Sequence, residues 1–139
     1  MQLTITTVDY APGDLYDQVP FVAELLRELP GPDRPDYWVA ALLRPLSWLK
    51  DNQTRSVAHI VVAARWAGTS IEAGVGNLPI GIAYVTDPSV LTDKRLDLQK
   101  CAYVAIGLAS DTTDGRIPPQ LGGTLAGNIA PSFGTGRAP

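Results

Sequence analysis

The chain has 139 residues, the size of one domain, with 45% hydrophobic and 18% charged residues, a globular balance able to bury a core without staples. Its net charge of −3 and its scattered lysines and arginines leave no basic footprint for nucleic acid or anionic lipid. One cysteine and one histidine exclude a disulfide framework and a CxxC zinc cluster, so no cofactor or metal is expected.

The N-terminal run QLTITTV, residues 2–8, alternates apolar and polar side chains and is rich in β-branched types, as a half-exposed strand is. Residues 17–29 read as a helix. Asp17 stands at a capping position, Pro20 falls in the first turn, Pro30-Gly31 stop the run, and Phe21, Leu25 and Leu29 lie four apart. A proline-rich connector, 30–38, leads to a second expected helix from Arg34 to about Leu43, ended by Pro45. Its apolar stripe runs through Trp38, Leu42 and Leu46, and Trp48 lies off that stripe.

Three apolar strands are expected at 56–67, 80–86 and 101–110. A glycine-rich connection with a turn near Gly68 joins the first two. Between the second and third, Asp87-Pro88 reads as a cap and the first residue of a short helix. The expected fold is α+β: two N-terminal helices packed on a mostly antiparallel sheet of three to four strands. Residues 1–111 form that single domain. Residues 112–139, rich in glycine and proline, read as a flexible tail. Within the tail Ile117, Leu121, Leu125, Ile129 and Phe133 are spaced by four, so packing on the domain or docking of a partner are the alternatives.

Strand parity sorts side chains onto faces. On 56–67, Ala58, Ile60, Val62, Ala64 and Trp66 share one face, and His59 and Arg65 share the other. In the next two strands one face is built of small residues, Gly81 and Ala83 in one, Ala105, Gly107 and Ala109 in the other. Such a face admits a tightly packed helix or a ligand.

Chemical motifs mostly fail on inspection. Gly74-Val75-Gly76 lacks the third glycine of a dinucleotide fingerprint, and no GK[ST] loop or nucleophile elbow exists. Asp87 and Asp111 each follow a strand and would converge only if those strands were parallel neighbours. No catalytic residue is assigned. His59, Arg65, Asp87 and Asp111 are the candidate ligand-binding groups. Trp48, Leu121, Leu125, Ile129 and Phe133 are the candidate partner contacts. Without a leader-like N-terminus or a run long enough to span a bilayer, a cytoplasmic setting is expected. The functional expectation is a small non-catalytic binding protein, of the inhibitor, immunity or adaptor kind, meeting a protein partner or a second copy of itself. The alternative is a small-molecule-binding domain or small enzyme using the Gly/Ala face.

Overall fold

A computed structural model of the chain describes residues 1–11, 13–50, 53–66 and 69–112. The expectation of two helices on a sheet is overturned: the described residues form a closed antiparallel barrel. Its strands are β1 (Gln2–Asp9), β2 (Phe21–Leu29), β3 (Tyr37–Lys50), β4 (Gln53–Ala64), β5 (Leu78–Val85) and β6 (Cys101–Asp111). They run in sequence order around the barrel, and β1 pairs with β6 to close it. Every neighbouring pair is antiparallel. The one α-helix among the described residues, α1 (Gly13–Tyr16), is a single turn.

Both expected helices are strands, and the reason is arithmetic. A spacing of four keeps side chains on one face of a helix and, because four is even, on one face of a strand as well. In β2, Phe21, Ala23 and Leu25 all point inward and are buried, which is the period of two. Pairing with β3 then shifts between Leu25 and Arg27. This irregularity reverses the parity, so Leu29 is buried outside the wall in a separate cluster. In β3, Ala40 and Leu42 point inward, and Pro45 falls within another register shift, between Ala41 and Leu46. A proline there removes no ladder hydrogen bond. The strands expected from alternation, in contrast, correspond to β1, β4, β5 and β6.

The interior is filled by side chains. Leu3, Ile5, Ile60, Val62, Ile80, Ile82 and Tyr84 are almost wholly buried there. Ala105 and Ala109 are fully buried in the same cluster. At Gly107 an added Cβ would lie 2.5 Å from the carbonyl oxygen of Thr7, so the missing side chain lets β1 approach β6. The β1–β6 register shifts between Ile5 and Thr7, beside this contact.

Two connections plug the barrel. Leu15 of α1 is fully buried in the core, a burial that contributes roughly 1.5–3 kcal/mol. The β4–β5 connection contributes Ile71 to the same cluster. It is held down by β6: the Asp111 carboxylate accepts from the backbone N–H of Gly74 at 2.7 Å, and the Asp111 N–H donates to the Val75 carbonyl at 2.7 Å.

A second, smaller apolar cluster lies on the outer wall, where Leu29, Val39 and Val61 are covered by Val90 and Leu96 of the β5–β6 connection. That connection contains two 3₁₀ turns, Pro88–Leu91 and Leu98–Lys100, capped by the carboxylates of Asp87 and Asp97. The cap and short helix expected at Asp87-Pro88 are therefore found, as 3₁₀ structure. The Arg27 guanidinium ties the connection to β2, donating to the carbonyls of Leu91 at 2.8 Å and Asp93 at 2.5 Å.

The tail 113–139 and the turn near Gly68 lie outside the described residues, so the division at residue 111 is carried no further. Among the described residues no helix is long and apolar enough to cross a membrane.

Candidate functional site

Next to the covered patch, the outer wall of the barrel stays open. Parity on β4 sends Val61, Ala63 and Arg65 outward, since Ile60, Val62 and Ala64 belong to the inner core. On β5 it sends Gly81 and Ala83 outward, between the inward Ile80, Ile82 and Tyr84. Ala63 pairs with Gly81 and Val61 with Ala83, so two opposed pairs of small residues lie side by side. Above them is a groove of about 370 Å³, within the range of small-molecule sites. An added Cβ at Gly81 would find no atom within 4 Å. The floor is therefore low because of the residues chosen, and none of the described residues fills the space above Gly81.

Three segments wall the groove. The β2–β3 connection and the start of β3 supply Asp33, Arg34 and Tyr37, the residue following β4 supplies Arg65, and the β5–β6 connection and the start of β6 supply Leu98 and Cys101. The Tyr37 hydroxyl donates to Asp33 at 2.6 Å, which fixes the ring. Burial and this hydrogen bond to a carboxylate push the phenol up to about 12, so it stays neutral at physiological pH. Arg34 is fully engaged. It grips Asp36 with two nitrogens, at 2.5 and 2.8 Å, and donates to the Ala64 carbonyl at 2.6 Å. The guanidinium of Arg34 holds the Asp36 carboxyl below its ordinary range. Arg65 is different: it is exposed, with its guanidinium 4.9 Å from the centre of the Trp66 ring, and no carboxylate among the described residues pairs with it. Burial raises the Cys101 thiol to about 11, so the groove's only sulfur is a protonated, weakly nucleophilic group.

Of the four ligand-binding candidates read from the sequence, only Arg65 lines this groove. His59 lies on β4 opposite Ala41, half-buried, and its ring makes no hydrogen bond with the described residues. Asp87 caps the first 3₁₀ turn, where the N–H of Ser89 donates to it at 3.0 Å and lowers its pKa. Asp111 is buried as the clamp on the β4–β5 connection. Because β5 and β6 are antiparallel, Asp87 and Asp111 stand at opposite ends of that ladder and do not converge. The side chain of Trp48 and the tail residues Leu121, Leu125, Ile129 and Phe133 lie outside the described residues.

The small faces also part company. That of β5 forms the floor of the groove, whereas Ala105, Gly107 and Ala109 of β6 face the interior, so two faces that look equivalent in sequence have opposite roles. Tyr37, Asp33 and Leu98 were not read as site residues from the sequence. The signal available was their setting: Asp33 and Tyr37 flank a proline-rich turn that precedes a strand, and Leu98 follows a capping Asp97. Among the described residues no three His, Cys, Asp or Glu side chains gather as a metal site would require. No protein-family model, curated protein or solved structure shows significant similarity to this chain.

Proposed function

We propose that the chain is a non-catalytic binding protein of the cytoplasm, and that its ligand is a small molecule held in the outer groove. The observation that carries this reading is the open floor at Gly81. The same barrel wall is sheathed by its own β5–β6 connection over Val39 and Val61, yet beside that sheath the described residues leave it bare, lined by small residues and rimmed by polar groups. A wall that only had to be covered would carry larger side chains there. Binding is favoured over catalysis because the groove's titratable thiol and phenol are both held in their protonated forms, the phenol even with the Asp33 carboxylate accepting its hydrogen bond. The cytoplasmic setting is part of the same proposal, supported by the free thiol of Cys101, which has no second cysteine to pair with.

The test is a fragment screen followed by amide-resolved NMR on the full chain. Binders should shift the amides of Ala63, Gly81 and Ala83, and Gly81→Leu should abolish those shifts without lowering the unfolding midpoint, since its first added carbon meets nothing. Binders that shift other surfaces and ignore Gly81→Leu would refute the reading.

A further inference from the structure

We infer that the groove takes a small, flat aromatic carboxylate, with Arg65 as the group that receives its anionic end. The inference rests on the reading that the groove is the binding site, and adds the chemical class of its occupant.

Shape comes first. The Ala63–Gly81 pair, with Ala83 beyond it and Val61 reached only at the margin of the sheath, defines a floor about 4.8 Å across and about 7 Å along the strands, from the ordinary spacings of a sheet. That is the footprint of a one- or two-ring aromatic body lying flat. The Tyr37 ring stands at the β3 side, fixed by its hydrogen bond to Asp33, and Leu98, itself substantially exposed, stands toward the β5–β6 connection. Both offer apolar surface to the edges of a flat ligand.

Charge selects the polar end. Of the charged side chains in or beside the groove, all but Arg65 are already committed, Asp97 as the acceptor of the Gln99 N–H at 2.9 Å. Asp33 accepts from the Tyr37 hydroxyl, while Asp36 and Arg34 hold each other and Arg34 also donates to the Ala64 carbonyl. Among the described residues Arg65 has only the face of Trp66 beneath its guanidinium. Its position is set by its backbone, since its N–H donates to the Pro79 carbonyl at 2.8 Å. Two residues beyond Ala63, just past the end of β4, it sits about 7 Å from the floor's first pair. A guanidinium resting on an aromatic face keeps its outward N–H groups for a carboxylate, which it meets with two parallel hydrogen bonds. The body then lies over Gly81 with its carboxylate pointing along β4 toward Arg65.

The experiment titrates the full-length protein with three probes: naphthoate, its neutral isostere naphthamide, and hexanoate. Shifts are followed at the amides of Gly81 and Ala83 and at the side-chain nitrogen of Arg65. The expected result is that naphthoate shifts all three groups and binds about tenfold or more tightly than naphthamide, as loss of a charge-assisted pair implies, with hexanoate weaker than naphthoate. Arg65→Gln should bring naphthoate down to the level of naphthamide and leave naphthamide unchanged. If naphthamide and naphthoate bind the Gly81 floor equally, the carboxylate assignment is overturned while the groove remains a binding site. If naphthoate instead shifts Ile106 and Leu108, the acid occupies the neighbouring shallow surface that Arg65 also borders, and the inference is overturned. If no probe shifts Gly81 or Ala83, and the fragment screen also finds no binder there, the groove reading and this inference fall together.

Discussion

Gly81 and Gly107 lie in neighbouring, paired strands, Gly81 opposite Ile106 and Gly107 opposite Ile80, and the same substitution should act on them in different directions. Replacing either glycine by alanine removes conformational freedom from the unfolded chain, a gain of about 0.4–1 kcal/mol where the native backbone accepts a side chain. Neither glycine has a positive φ, so both backbones do. At Gly81 the new methyl group meets no atom within 4 Å, and the gain should appear almost undiminished. At Gly107 it would lie 2.5 Å from the Thr7 carbonyl oxygen and 3.5 Å from the end of Ile82. The first contact is with backbone, at the seam that closes the barrel, and cannot be relieved by a rotamer change. Forcing extra volume into such a site costs about 1–3 kcal/mol. Because the entropic gain is common to both variants it cancels in their difference, which should be that steric cost alone. Urea unfolding of wild type, Gly81→Ala and Gly107→Ala, with free energies from linear extrapolation, measures the difference directly. A Gly107→Ala variant as stable as Gly81→Ala would show that β1 does not press on β6 there, and would remove the argument that the glycine closes the barrel.

Two further predictions concern residues outside the floor. Asp111→Ala removes the acceptor for the Gly74 N–H and should cost about 1.5–3 kcal/mol, with faster amide exchange at Gly74; unchanged exchange there would mean that the carboxylate is not the clamp. Cys101 should alkylate about 100-fold more slowly at pH 8 than a thiol titrating at 9.0, the consequence of a pKa near 11, and should recover the ordinary rate in urea. Since burial favours the protonated thiol, its contribution to stability is complete below pH 9 and is lost as the pH rises toward 11; rapid alkylation of the folded protein at pH 8 would contradict that burial.

How much of this was legible beforehand can be argued residue by residue. The alternation in β1, β4, β5 and β6 marks strands because apolar and small or polar side chains differ at every step. In β2 the inward positions are Phe21, Ala23 and Leu25, and the alanine is too small to reveal the period, so the larger Phe21, Leu25 and Leu29 dominate and imitate a helix. The flanking prolines strengthen that imitation, because they suit helix ends and strand ends equally well. Of the site, the small outward residues Gly81 and Ala83 and the cation Arg65 were visible. What could not be read was which small face would line the interior. That depends on closure of β1 onto β6, a contact between the two ends of the domain that leaves no mark on local periodicity. The walls of the groove were hidden for a related reason. Tyr37 and Leu98 are some sixty residues apart in the chain and meet across the same floor only because the barrel curves and its longest connection folds back over the outer wall.

The seam between β1 and β6 also sets the order of events at the ribosome. Its contacts join residues up to 108 positions apart, as between the hydroxyls of Thr4 and Thr112, whereas β3 and β4 pair locally, beginning with Lys50 opposite Gln53. The hairpins can form as they emerge, but until the last strand is released β1 has one edge without its partner, and that edge can recruit another nascent chain. A chain stalled before β6 leaves the exit tunnel would therefore carry this protein's greatest hazard of aggregation.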